Sequence, residues 1–222
     1  MGKIKKNVKK NTRKLGVYKY VKMLFDFLIA LLVIIITSPI MLIIAIAIKL
    51  DSKGPVLFKQ KRTGKNGKVF NMYKFRSMAV DNNPYDFSKK DERTKVGTFL
   101  RKTSLDELPQ FFNIIKFEMS LIGPRPWIAD CYDLMTDEQK RRHDVLPGIT
   151  GLAQANGRND LTIFDRINYD LEYIDNFSFM QDVKIIFLTI KAVLSEKGAD
   201  LGKATFQSDL EALRSQHKKG SK

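Results

Sequence analysis

The chain has 222 residues, a length that suits one domain with a real core. Its formal net charge of +15 and sequence pI near 9.8 call for an anionic partner: nucleic acid, anionic lipid headgroups or a phosphorylated substrate. Its one cysteine, Cys131, excludes an intrachain disulfide and a thiolate zinc cluster, and is typical of a reducing compartment. Its two histidines argue against a histidine-ligated metal site or a Ser-His-Asp triad.

A basic extension over residues 1–20 precedes a membrane segment that we predict over residues 21–50. The run from Phe27 to Ile48 carries no charge, and at about 1.5 Å per residue its length matches a hydrocarbon core of about 30 Å. Ser38 and Pro39 lie near its middle, where proline removes a backbone hydrogen bond and bends a helix. The hydroxyls of Ser38 and its neighbour Thr37 are placed to satisfy the freed carbonyls.

The charges on either side of this run bear on its topology. Nine Lys and Arg residues lie between Lys3 and Lys22, and nine lie between Lys49 and Arg76, so the positive-inside rule draws both ends towards the cytoplasm. A helix broken at Ser38-Pro39 with both ends on one face is a re-entrant membrane helix. The alternatives are a straight single-pass anchor and a signal peptide, for which the apolar run is too long.

Two β-prone segments follow the membrane segment. Residues 56–62 and 69–78 flank a turn with an Asn-Gly pair and predict a β-hairpin. Lys74 and Arg76 share one face of the second strand, where they form either a solvated rim near lipid headgroups or the cationic wall of an anion pocket. Residues 79–95 are polar and without period, which predicts a surface loop and a candidate lid.

The stretch from Arg101 to Asn113 places two adjacent carboxylates, Asp106 and Glu107, in a very basic chain. Acids among cations suit a phosphate or diphosphate substrate, with a metal ion bridging carboxylate and phosphate oxygens. A structural account fits the same residues, because Ser104 and Glu107 have the S-x-x-E spacing of a capping box, and Asp106 would occupy the first helical turn, where the dipole favours an acid. The helix is expected to run from Ser104 through Ile115.

The loop Gly123-Pro-Arg-Pro126 is braced by proline and holds Arg125 in one place. The planar fork of arginine suits phosphate recognition. Trp127 is expected to pack in the core or at the membrane interface rather than stack on a base.

Further segments complete the chain: a helix over 129–144, a Gly-rich loop over 145–159 with polar groups that suit a base or a phosphate, amphipathic helices over 165–175 and 177–194, and a loose polar tail from Lys197. The helix over 177–194 either packs in the core or lies on the membrane surface. The predicted fold class is α+β and mostly helical, with one small β-hairpin and amphipathic interfacial helices. A cytosol-facing catalytic domain is assigned to 51–196, and the tail to 197–222.

Six motifs in a fixed order make the chain resemble the bacterial sugar transferase family, the small monotopic phosphoglycosyl transferases: Ser38-Pro39, Tyr73–Met78, Leu105–Leu108, Gly123–Pro126, Pro147–Gly151 and Asn156–Asn159. The resemblance runs from about Val21 to about Leu194. It implies an enzyme that moves a phosphosugar from a UDP-sugar to undecaprenyl phosphate, releasing UMP, to start capsule, exopolysaccharide or glycoprotein glycan assembly. It also implies a monotopic protein on the cytoplasmic face of the bacterial cell membrane, bound to anionic phospholipid, without a nucleic-acid partner. The identity of the sugar stays open, as does a homodimer.

The resemblance also implies roles for individual residues. Asp106 would be the nucleophile that attacks the β-phosphorus, Glu107 its catalytic partner, and Mg²⁺ the cofactor, with Asp106 as a metal ligand. Basic residues at the family's positions would contact phosphates or nucleotide: Lys74, Arg101, Arg125 and Arg158. The extension before Val21 is longer than a minimal family member needs, and we expect it to add affinity for anionic lipid, at about 1 kcal/mol per well-placed cation.

Two other hypotheses compete with this one. The first is a membrane-anchored basic protein that binds anionic lipid or nucleic acid without catalysis, for which the charge would be the whole function. The second keeps the enzyme but drops the covalent step, so that Glu107 activates the lipid phosphate for direct attack.

Overall fold

A computed structural model describes residues 2–79, 93–157, 161–194 and 203–220. Its helices are α1 (Gly2–Asp51), α2 (Lys95–Lys102), α3 (Gln110–Ile115), α4 (Asp137–Lys140), α5 (Leu152–Asn156), α6 (Ile163–Asp175), α7 (Phe179–Leu194) and α8 (Lys203–Gly220). Its strands are β1 (Leu57–Thr63), β2 (Val69–Phe75), β3 (Ser120–Ile122) and β4 (Gly148–Thr150). The chain is mostly helical with one small antiparallel hairpin, which confirms that part of the predicted fold class.

Helix α1 continues through Pro39 instead of ending there, so the predicted helix-break-helix is not seen as an interruption. Pro39 lacks the N–H that would bond the carbonyl of Ile35, and Ser38 Oγ donates to that carbonyl at 2.9 Å. Thr37 Oγ1 donates to the carbonyl of Val33 at 2.7 Å. The hydroxyls therefore satisfy freed or neighbouring carbonyls as predicted, and this compensation lets the helix carry on.

Both ends of the apolar part of α1 contact the rest of the protein. Near its start, Lys22 Nζ lies 2.7 Å from a carboxylate oxygen of Asp182 in α7. At its end, Arg76 donates to the carbonyl of Ser52 at 2.7 Å. Between these ends, large apolar side chains are exposed: Leu31, Leu32, Ile35, Ile36, Ile40, Leu42 and Ile43. By length and composition Gly16–Asp51 is able to cross a membrane, and re-entry stays a prediction.

The predicted hairpin is confirmed, with β1 antiparallel to β2. Its turn places Asn66 at φ 55 and Gly67 at φ 75, the left-handed conformation that Asn and Gly adopt most readily. The outer edge of β2 is completed by Asn113 of α3, whose amide donates to the carbonyl of Asn71 at 2.8 Å and accepts from the N–H of Tyr73 at 3.0 Å. This wholly buried side chain joins α3 to the hairpin.

The motifs Gly123–Pro126 and Pro147–Gly151 pack backbone against backbone. Strand β3 pairs in parallel with β4, Ser120 opposite Gly148. A Cβ atom on Gly148 would lie 2.1 Å from the amide nitrogen of Gly123, and one on Gly151 would lie 2.2 Å from the carbonyl oxygen of Gly123. Side chains cannot fit at these distances, so the glycines allow the contact that places the loop carrying Arg125.

Three segments test the remaining predictions. Helices α6 and α7 form close to the predicted ranges. The single helix predicted over 129–144 is wrong: a 3-10 turn at Ala129–Cys131, the short α4 and a 3-10 turn at Arg141–His143 replace it. One side of α7 is buried at Ile185, while its other side exposes apolar residues: Phe179, Met180, Phe187 and Ile190. Core packing is therefore confirmed for one face only.

The loose tail predicted from Lys197 is wrong for Lys203–Gly220, which forms helix α8. Leu213 of α8 is completely buried in a core cluster that contains Trp127. Trp127 accordingly packs in the core, one of the two positions predicted for it. Most residues of α8 are polar, and Leu213 is the apolar residue that anchors it in this cluster.

Candidate active site

Asp106 and Glu107 lie in a 3-10 turn, Leu105–Glu107, between α2 and α3. The predicted capping box is not formed, because Ser104 has φ 57 and its side chain makes no capping hydrogen bond. The helix expected from Ser104 begins only at Gln110. Glu107 is thus not used to cap a helix, and its side chain turns towards cations.

Two cationic side chains meet at the carboxylate of Glu107. Lys74 Nζ lies 2.6 Å from Glu107 Oε1, and Arg125 Nη2 lies 3.3 Å from the same oxygen. The side chains of Lys74 and Glu107 are only 18% and 22% exposed. Burial alone would raise the pKa of Glu107, but the charges and hydrogen bonds of Lys74 and Arg125 outweigh it and lower this pKa to about 2. Glu107 is therefore ionised at neutral pH.

Asp106 has the opposite environment. It is 8% exposed, and no hydrogen bond reaches its carboxylate from the residues that the structure describes. Burial raises the pKa of Asp106 and the negative Glu107 adds to this, while the positive charges of Lys74, Arg101 and Arg125 oppose it. Adjacent carboxylates with opposite pKa shifts are typical of groups with different chemical tasks.

Arg101 is oriented by a residue that the sequence did not single out. Its Nε donates to Ser77 Oγ at 2.9 Å. Helix α2 approaches Ser77 so closely that a Cβ atom on Gly97 would lie 2.0 Å from the carbonyl oxygen of Ser77. The available signal was the position of Ser77 in the Tyr73–Met78 motif, after Lys74.

A buried arginine holds the loop that carries Arg125. Arg142 is 1% exposed and donates to the carbonyl of Arg125 at 2.8 Å. Its Nε and Nη2 atoms bond Asp170 at 2.9 and 2.6 Å. Its guanidinium carbon lies 4.0 Å from the ring centroid of Trp127. Sequence reasoning missed both Arg142 and Asp170, because the two residues are 28 positions apart and no local pattern connects them.

Other predicted residues do not join this cluster. Arg76 donates to the carbonyls of Ser52 and Lys53, just beyond the end of α1, at 2.7 and 2.6 Å. It is therefore a cap for α1, which corrects the suggestion that it lines an anion pocket. Arg158 lies outside the described residues, and so do residues 80–92 of the candidate lid.

The donors in this cluster suit a metal ion that is shared with a substrate. In the described ranges no three His, Cys, Asp or Glu side chains come together to enclose an ion. Mg²⁺ is commonly held by one or two carboxylates together with substrate phosphates and water. Asp106, with a carboxylate that accepts no hydrogen bond from the described residues, offers one such ligand.

Residues 17–196 match the family model described as bacterial sugar transferase. The chain is 44% identical over 179 residues to EpsL of Bacillus subtilis (strain 168), named an uncharacterized sugar transferase, covering 80% of this chain and 89% of that protein.

Two further relatives carry more specific names. One is a UDP-glucose:undecaprenyl-phosphate glucose-1-phosphate transferase of Klebsiella pneumoniae, 48% identical over 187 residues, covering 79% of this chain and 40% of the relative. The other is a UDP-N-acetylgalactosamine-undecaprenyl-phosphate N-acetylgalactosaminephosphotransferase of Aeromonas hydrophila, 43% identical over 195 residues, covering 82% of this chain and 46% of the relative. The chain thus matches less than half the length of these two.

Proposed function

Because the chain belongs to the bacterial sugar transferase family and is therefore a transferase, we propose that it moves a phosphosugar from a UDP-sugar to undecaprenyl phosphate and releases UMP. The names of the relatives supply the substrate class. The observation that carries the proposal is the buried Asp106 beside Glu107, Lys74, Arg101 and Arg125. Two acids and three cations leave this cluster with one excess positive charge, which suits a diphosphate.

Asp106 is the proposed nucleophile. In the first step one of its oxygens forms a bond to the β-phosphorus of the UDP-sugar, the bond from that phosphorus to the bridging oxygen breaks, and UMP leaves with the electron pair. In the second step an oxygen of undecaprenyl phosphate attacks the same phosphorus and the carboxylate leaves, giving a diphosphate-linked lipid. The raised pKa of Asp106 supports this role, because a more basic carboxylate donates electrons more readily.

Glu107 is proposed to place the cations. A carboxylate with a pKa of about 2 is a poor general base at neutral pH, which weighs against direct transfer with Glu107 activating the lipid phosphate. Its ionised form instead holds Lys74 and Arg125 next to Asp106. These cations then stabilise the charge that develops on the transferred phosphate, the main source of catalysis in phosphoryl transfer.

Mg²⁺ is the proposed cofactor, with Asp106 as its protein ligand and the diphosphate supplying further oxygens. A bound ion would neutralise charge on the phosphate oxygens. Lys74, Arg101 and Arg125 remain the chain's own contribution to the same neutralisation, and Arg158 is proposed as a fourth cation.

The membrane arrangement is proposed to be re-entrant and monotopic on the cytoplasmic face. Two contacts support it. Lys22, near the start of the apolar run, binds Asp182 of α7, and Arg76, just after β2, binds the carbonyl of Ser52 at the other end of the run. Both ends are thereby held next to the rest of the protein, as a re-entrant segment requires. The exposed face of α7 supports contact with the same surface. Tags on both termini, with protease applied to intact spheroplasts, test this: equal protection supports re-entry, and opposite accessibility refutes it.

The activity is tested by UMP release from a panel of UDP-sugars with purified protein, Mg²⁺ and undecaprenyl phosphate. We expect turnover with at least one sugar, its loss in Asp106→Asn, and normal rates in Asp133→Asn, a matched change at an exposed position. Radiolabelled phosphosugar should remain on the wild-type protein when the acceptor is omitted. Unlabelled protein would favour direct transfer, whereas full turnover by Asp106→Asn, or salt-dependent binding to random DNA without turnover, would reject the proposal.

A further inference from the structure

Helix α8 lies beyond residue 196, where the match to the family ends. We propose that α8 is a clamp that positions Arg125 through Trp127 and Arg142, a role that rests on the proposed function because Arg125 is there assigned to the substrate phosphates. A segment outside the matched region would then set the geometry of one cation in the site.

The first step is the docking of α8 by one face. Asp209, Leu213 and Gln216 are spaced i, i+4 and i+7, so they lie along one side of the helix. Asp209 accepts two 2.6 Å hydrogen bonds from Arg166 of α6. Leu213 is completely buried with Trp127, and Gln216 accepts from Gln139 of α4 at 3.1 Å. The helix is thus fixed by a charged, an apolar and a polar contact.

The second step joins this docking surface to Arg142. Trp127 packs against α8 in the core cluster and lies 4.0 Å from the Arg142 guanidinium. On the other side, α6 carries both Arg166, which binds α8, and Asp170, which binds Arg142. These two residues are one helical turn apart and share a face. Helix α8 therefore supports Arg142 through the tryptophan ring and through α6.

The third step leads from Arg142 to the site. A buried guanidinium is held tightly by its partners, because leaving any of them unpaired is costly. Arg142 donates to the backbone carbonyl of Arg125 at 2.8 Å, so it fixes the loop rather than the side chain. At the end of that loop, Arg125 Nη2 is 3.3 Å from Glu107, a longer contact than the 2.6 Å of Lys74. A small shift of the loop would break it.

A double-mutant cycle in the full chain separates positioning from plain stabilisation. Leu213→Ala should lower kcat/KM for the UDP-sugar by about 10-fold to 100-fold, because a misplacement of about 1 Å at a catalytic contact can cost about 100-fold. Ser215→Ala, an exposed change in the same helix, should leave it unchanged. With Arg125→Gln already present, Leu213→Ala should cost less than about 2-fold more. The same loss in both backgrounds would overturn the clamp. Asp209→Asn repeats the cycle with a nearly isosteric change if Leu213→Ala folds poorly.

Tryptophan fluorescence supplies a measurement that needs no turnover. Trp127 is the single tryptophan of the chain, so acrylamide quenching of the full-length protein without substrate reports its protection by α8. Quenching should increase in Leu213→Ala and stay at the wild-type level in Ser215→Ala. Wild-type protein that releases no UMP from any UDP-sugar would refute the proposed function, whereas unchanged quenching in Leu213→Ala would refute the clamp.

Discussion

Glu107→Gln removes one charge from the site and keeps the shape of the side chain. The Glu107 carboxylate receives Lys74 at 2.6 Å and Arg125 at 3.3 Å, and its pKa is about 2 against an ordinary value of 4.5. At about 1.4 kcal/mol for each pKa unit, this gap corresponds to about 3 kcal/mol of folded-state stability at neutral pH. We expect the variant to lose about that amount, because the two cations keep their places without their anion.

The pH dependence follows from the sign of the shift. Since the pKa of Glu107 is lowered by folding, its stabilisation is complete above the unfolded value near 4.5 and is lost as pH falls through about 2. The glutamine variant has no group that titrates there. The difference in stability between wild type and variant should therefore be constant above about pH 5 and shrink to less than half near pH 3.

Thermal unfolding in detergent, followed by Trp127 emission, measures this difference. For a chain of this size about 3 kcal/mol lowers Tm by roughly 6 to 12 °C. Glu172→Gln, at an exposed position of α6, is the matched control and should leave Tm unchanged. Adding Lys74→Met to Glu107→Gln should recover part of the loss, because it removes the unpaired cation. An unchanged Tm at pH 7, or a difference at pH 3 as large as the one at pH 7, would refute the role given to the Lys74–Glu107 pair.

Two further substitutions test how the site is supported. Asn113→Ala leaves the N–H of Tyr73 without its side-chain acceptor, and we expect a loss of about 2 kcal/mol and faster hydrogen exchange at that amide; unchanged exchange would contradict the edge contact. Gly148→Ala places a Cβ atom 2.1 Å from a backbone nitrogen and should abolish UMP release and lower Tm, while Gly16→Ala, with no atom within 4 Å of its added Cβ, should leave both unchanged. Equal behaviour of these two glycine variants would contradict the close packing.

Local signals predicted the parts of the fold that local physics determines. The hairpin follows from an Asn-Gly pair that adopts left-handed backbone in the turn, and α6 and α7 follow from apolar periodicity. Helix α8 escaped prediction because few of its residues are apolar, and Leu213 is buried by partners from distant parts of the chain. The S-x-x-E pattern at Ser104 misled for a related reason: tertiary contacts with Lys74 and Arg125 took Glu107 away from the cap.

The sequence predicted the charged residues of the site but not the buried residues that orient them. Asp106, Glu107, Lys74 and Arg125 were singled out from the residues alone, and the resemblance added Arg101 and gave all five their roles. The structure brings these five together. Their supports did not come from the sequence, because a buried pair such as Arg142 and Asp170, 28 residues apart, leaves no periodic or local pattern. Chemistry carried by motifs could thus be predicted, and the packing that orients it could not.

The end of α1 is attached to two of the elements that bring cations to Asp106, namely β2 with Lys74 and α2 with Arg101. Arg76, two residues after Lys74 in the chain, caps the carbonyl of Ser52 at 2.7 Å, and the carboxylate of Asp51 accepts from the N–H of Val96 at 2.9 Å, at the start of the helix that carries Arg101. A displacement of α1 by one turn, about 5.4 Å, would therefore move β2 and α2 together. For the lipid-borne acceptor proposed above, whose phosphate would stay at the height of the headgroups, the depth of α1 in a bilayer would set whether that phosphate meets the cations. Under that proposal, anchoring and catalysis are one structural problem.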